Sequence, residues 1–123
     1  MTVADGTTTT SKFTEPTDGV DTDNGLKNLC GVKTYTVTDN ADNSALTGSW
    51  AIVRDSATSG KKEVFIDTLL YPTAISANVV VTLRVTTKYE DWATNAGSTS
   101  TLQVTITAEA CSCAAMAWTQ PTI

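Results

Sequence analysis

The side chains best equipped for chemistry in this sequence are three cysteines, and the partners that would make them catalytic are missing. The chain has no His, so the imidazole base that usually activates a Ser or Cys nucleophile is absent and a triad of the common form is excluded. Cys30, Cys111 and Cys113 contain no Cys-x-x-Cys pair of the kind that grips zinc, and no glycine-rich phosphate loop occurs. Their positions fit covalent cross-linking better. Cys30 stands just ahead of the first strong strand pattern, while Cys111 and Cys113 stand just after the last. A Cys30 to Cys111 disulfide would close a loop of about 82 residues and restrict the unfolded chain by roughly 4.5 kcal/mol in the chain-entropy model. Cys111 is the preferred partner because it continues the last strand directly, with Cys113 as the alternative, and the third thiol is left for an intermolecular bond or an exchange of partners. Such a bond implies an oxidising compartment, hence an extracellular or cell-surface location. Three buried free thiols in a cytosolic protein is the competing reading.

Carboxylates form two clusters. Asp18, Asp21, Asp23 and Asn24 lie in the first, and Asp39, Asn40, Asp42 and Asn43 in the second. Either could gather oxygen ligands for calcium, although the spacing is not that of an EF-hand. Turn chemistry, in which Asp, Asn and Gly satisfy nearby backbone groups, accounts for both clusters without a metal. A glycosidase-like carboxylate pair fits poorly, because these acids sit in turn-like segments where solvated loop charges are expected. The expectation is therefore a protein that is not an enzyme.

The elements that must position these residues are strands. Of 123 residues, 25 are Thr, a β-branched residue suited to half-exposed pleated surfaces. The chain is long enough for one ordinary domain and too short for two. Its net charge of −5 is scattered, which offers nothing to a phosphate backbone, so nucleic acid is not an expected partner. No apolar run approaches the length of a membrane span, so no membrane insertion is expected. Met1 is not followed by a basic and then apolar leader; an exported protein with this sequence is expected to carry its signal ahead of Met1, which would make Met1 a boundary rather than a natural start.

Residues 1–25 read as a polar arm or linker rich in turn residues, with Val3, Phe13 and Val20 its main apolar members. From there, short alternating runs follow at the spacing of an all-β domain over 26–113. Lys33 to Thr38 sets Tyr35 and Val37 on one side, and Ser49 to Arg54 sets Trp50 and Ile52 on one face. Glu63 to Leu69 resumes the pattern. Asn78 to Tyr89 is the strongest alternation, with Val79, Val81, Leu83, Val85, Thr87 and Tyr89 sharing a face. Thr99 to Ala110 repeats it with Leu102, Val104, Ile106 and Ala108 inward, and the two runs are expected to pair as an antiparallel hairpin. With the weaker runs Thr7 to Phe13 and Ala114 to Trp118, about seven strands result, the number an immunoglobulin-like antiparallel β-sandwich with terminal extensions requires. A jelly roll or an open barrel is the alternative.

The segments Leu29-Cys30-Gly31-Val32-Lys33-Thr34-Tyr35-Thr36-Val37-Thr38-Asp39, Val81-Thr82-Leu83-Arg84-Val85 and Thr101-Leu102-Gln103-Val104-Thr105-Ile106 with Cys111 resemble one immunoglobulin-like or cadherin-like repeat of large extracellular surface and fibre proteins of microbes and protists. The resemblance covers about residues 29 to 113. It implies a module bracketed by its cysteines, with no catalytic residues to carry over. The Cys111-Ser112-Cys113 doublet and the polar arm depart from a simple repeat.

These features lead to a structural protomer of an extracellular filament or surface assembly, a homo-oligomer or polymer joined head to tail through terminal strands. The tail 114–123 carries Met116 and Trp118 two residues apart, with Ile123 beyond, an apolar alternation suited to a neighbour's groove. The arm offers Val3 and Phe13 as a second contact. An adhesin or carbohydrate-binding module is the alternative, with Tyr71, Tyr89, Trp92 or Trp118 stacking on sugar. No Asn-x-Ser/Thr acceptor occurs, so attached glycans would be O-linked to the Thr and Ser rows.

Overall fold

The computed structural model describes residues 1–15, 33–58, 61–89 and 97–109. Within them the chain forms β1 (Thr2–Ala4), β2 (Thr8–Thr14), β3 (Lys33–Asp39), β4 (Ala51–Asp55), β5 (Lys61–Asp67), β6 (Val79–Tyr89) and β7 (Ser98–Thr107). The strands build a four-stranded sheet in the order β1-β7-β6-β3 and a three-stranded sheet in the order β2-β5-β4. The protein is an all-β sandwich. β3, β6 and β7 lie side by side in one sheet and β2, β5 and β4 in the other, which is the immunoglobulin-like division of strands.

The core follows from alternation. β6 and β7 pair antiparallel from Val79 opposite Ile106 to Thr87 opposite Ser98, so Leu83, Val85, Val104 and Ile106 turn to the same inner face. Leu83, Val104, Ile106 and Ile66 of β5 are wholly buried, and Val64, Trp50 and Ala51 pack with them.

The inner face of β4 needs correction. Ile52 does not share the inner face with Trp50: it is 41% exposed, while Ala51 is buried. The reason is local, because Trp50 precedes β4 with helical backbone angles (φ −68°, ψ −12°) at the end of a 3₁₀ turn, Thr47–Ser49. The two-residue period therefore starts at Ala51, and Trp50 reaches the core from outside it, where Tyr71 meets it edge-on with ring centroids 5.1 Å apart. β1 runs parallel to β7, with Thr2, Val3 and Ala4 opposite Thr105, Ile106 and Thr107.

Residues 2–4, read from composition as part of the polar arm, form a strand of one sheet, and residues 8–14, where the weaker run Thr7 to Phe13 was expected as a strand, form one of the other. The chain crosses between sheets over Asp5 to Thr7, using Gly6 at φ +73°. Thr68, 3% exposed, fastens this crossing. Its hydroxyl accepts the Thr7 N–H at 2.9 Å and lies 3.0 Å from the Ala4 carbonyl and 2.8 Å from the Thr7 carbonyl.

Candidate functional site

Most residues singled out for cross-linking and assembly lie outside the described residues: Cys30, Cys111, Cys113, Met116, Trp118 and Ile123, together with Asp18, Asp21, Asp23 and Trp92. The others can be placed. Val3 is 4% exposed within this domain's own core, because its register opposite Ile106 turns it inward; it is not the surface contact the sequence suggested. Phe13 is half-buried and packs on Tyr35, ring centroids 6.1 Å apart.

Asp39 and Asp42 act on the backbone of their own turn. An Asp39 carboxylate oxygen accepts the Ala41 N–H at 2.8 Å, and an Asp42 oxygen accepts the Ser44 N–H at 2.9 Å. Hydrogen bonding from the Ser44 side chain, then from its N–H, holds the Asp42 carboxyl below its ordinary pKa. Asn43 takes the left-handed conformation at φ +59°, and its side-chain oxygen accepts the Thr38 hydroxyl at 2.8 Å. Among the described residues no group of three or more Asp, Glu, Cys or His side chains converges as a metal site.

Of the aromatic candidates for sugar stacking, Tyr71 is engaged with Trp50, and the Tyr89 ring lies 5.8 Å from the Lys33 ammonium. At the end of the sandwich where β2 finishes, Glu15, Tyr35, Asp55 and Lys62 meet. The Tyr35 hydroxyl donates to Glu15, and Lys62 bonds Asp55 and lies 3.8 Å from Glu15. Burial, then the Glu15 carboxylate, pushes the Tyr35 phenol above its ordinary pKa, and the Asp55 bond raises Lys62. This cluster ties β3 to the opposite sheet.

The feature that sequence reasoning missed is the edge of β7. The Met1 amino group donates to the Gln103 carbonyl at 2.8 Å, the Thr105 N–H donates to the Met1 carbonyl at 2.8 Å, and the Asp5 N–H donates to the Thr107 carbonyl at 2.9 Å. Odd-numbered residues of β7 therefore present their backbone groups toward β1, while even-numbered ones bond β6. β1 reaches no farther than Gln103, and no described strand continues along Ser98 to Leu102. The inward-facing side chains record the same gap. Ile106 and Val104 are wholly buried, Leu102 is half-buried, and Ser100 and Ser98 are exposed. A cleft of about 200 Å³ opens there between β7 and β2, lined by Phe13, Val64, Val85 and Leu102 among others.

No protein-family model and no curated protein matches this chain. Among the described residues no helix is long and apolar enough to cross a membrane.

Proposed function

We propose that the chain is a non-enzymatic structural protomer of an extracellular filament or surface assembly, joined head to tail through terminal-strand contacts, and that it is a module of the immunoglobulin-like or cadherin-like kind found in large surface and fibre proteins. The observation that supports this reading is the stretch of β7 from Ser98 to Leu102, along which no strand of the described residues pairs on the side of β1. A sheet edge with free N–H and C=O groups accepts an added strand, and this one carries no charged side chain from Ser98 to Leu102 and borders a cleft. A head-to-tail contact that does not close on itself gives a fibre. Electron micrographs of the purified chain test the proposal: ordered fibres of uniform width are expected, whereas dispersed particles at every concentration would favour a soluble binding module.

A further inference from the structure

We infer that the outer face of the four-stranded sheet binds an acidic polysaccharide of sparse charge, laid along β6 with its carboxylates on Arg84 and Lys88 and its sugar hydroxyls on the threonine rows to either side.

The strand registers gather the site. Leu83 and Val85 turn into the core, so Thr82, Arg84, Thr86 and Lys88 turn outward along β6. On one side Thr34, Thr36 and Thr38 of β3 stand opposite Lys88, Thr86 and Arg84. On the other, Thr99, Thr101 and Gln103 of β7 stand opposite Thr86, Arg84 and Thr82. Thr36, Thr86 and Thr99 therefore make one row across three strands, and Thr38, Arg84 and Thr101 make the next. Thr36, Lys88, Thr99, Thr101 and Gln103 are exposed. The Thr34 hydroxyl donates to the Lys88 carbonyl and that of Thr38 to the Asn43 side chain. Those of Thr36, Thr82, Thr86, Thr99 and Thr101 make no hydrogen bond among the described residues, which leaves them for a ligand.

Charge selects the ligand. The chain carries 13 acidic residues and a net charge of −5, yet among the described residues no Asp or Glu stands on this face. Arg84 and Lys88 do, and neither is ion-paired among the described residues; the Arg84 guanidinium donates to the neutral Asn40 side chain at 3.1 Å. Charge-assisted bonds from these cations to carboxylates are the strongest contacts the face offers. The two lie four residues apart on one strand, about 14 Å, whereas duplex DNA carries a charge every ~1.7 Å. A nucleic acid would leave nearly all its charges unmatched. No aromatic ring stands on this face among the described residues, so sugar is held there by hydroxyl and charge instead of stacking. A long chain with many hydroxyls and widely spaced carboxylates meets both demands.

The test is calorimetric titration of the full chain, dilute and at low ionic strength. Lightly substituted carboxymethylcellulose is the probe, with neutral hydroxyethylcellulose and duplex DNA as comparisons. Replacing both cations, Arg84→Gln with Lys88→Gln, is expected to weaken binding of the probe about tenfold, as the loss of two exposed charge contacts allows. Lys12→Gln with Lys61→Gln changes the net charge equally on the other sheet and should leave binding unchanged. Thr36→Val, Thr86→Val and Thr99→Val together keep shape and strand preference and should weaken binding about tenfold through lost hydrogen bonds. If that variant does not keep the parent's circular dichroism, the Arg84 and Lys88 replacements decide. A parent that does not bind the probe, or binds hydroxyethylcellulose or DNA as tightly, would overturn the inference. So would a folded Arg84→Gln, Lys88→Gln protein that binds like the parent, or a Lys12→Gln, Lys61→Gln protein weakened as much. Each of these results leaves the filament reading untouched.

Discussion

Replacing Thr68 by Val probes the fastening that sets β1 against β7. Valine keeps the shape and removes a hydroxyl that accepts the Thr7 N–H at 2.9 Å and donates to one of two carbonyls within 3.0 Å. None of these partners is wholly stranded. The Ala4 carbonyl keeps the Thr7 hydroxyl at 2.6 Å, the Thr7 N–H keeps a longer bond of 3.2 Å to Ala4, and the Thr7 carbonyl keeps the Thr68 N–H at 3.0 Å. The loss should therefore fall in the lower part of the range for a buried polar group deprived of its partner, about 1–2 kcal/mol. Urea unfolding measures it. Thr68→Ser is the control, since it keeps the hydroxyl and sacrifices one methyl, about 0.8 kcal/mol plus a small cavity term. A local signal should accompany the global one, because β1 is held by only three register pairs. Exchange of the Thr105 amide, bonded to the Met1 carbonyl at 2.8 Å, should accelerate about 5- to 30-fold, the equivalent of the same 1–2 kcal/mol. A Val variant within about 0.3 kcal/mol of the parent, with unchanged exchange at Thr105, would refute the assigned role.

Other perturbations have equally definite outcomes. Gly97→Ala places a Cβ 2.5 Å from the Thr87 carbonyl oxygen at a φ of +78°, so a loss of at least about 1 kcal/mol is expected in the same urea assay. Leu83→Ala, at a wholly buried position, should lower stability by about 2–5 kcal/mol. Tyr35 and Lys62 both titrate above their ordinary values of 10.0 and 10.5 in the folded chain. Folding thus favours their protonated forms, and the stability they contribute is complete below about pH 10 and lost as pH rises through the folded values. The urea midpoint should be level between about pH 7 and 9 and drop above 10, with a shallower drop in Tyr35→Phe.

The sequence made the four-stranded sheet legible where alternation was long. β6 and β7 carry a period of two over 11 and 10 residues, and their inner faces are the ones that pattern marks. It failed where the signal was short or its phase shifted. β1 has three residues and one large apolar side chain, Val3, too little to distinguish a strand from an arm, and its parallel pairing depends on a partner 103 positions away at Ile106. Ile52 was misplaced because one helical residue, Trp50, moved the start of the period. The buried Glu63 was equally hidden. It lies on the outer face of the central strand β5, where Arg54 crosses the Phe65 ring at 3.8 Å and reaches the Glu63 carboxylate at 3.3 Å. Local alternation marks such a position only as polar. The cleft beside β7 lies where no described strand pairs with Ser98 to Leu102, and a gap of that kind leaves no pattern in the residues that border it.

The central claim is that a terminal strand joins one copy to the next, and deletion of residues 114–123 tests it most directly. Parent and truncated chains should be compared by sedimentation and electron microscopy at matched concentrations, with circular dichroism confirming that both are folded. The account predicts fibres from the parent and a folded monomer, with no fibres, from the truncated chain. Fibres of normal appearance from the truncated chain would contradict it.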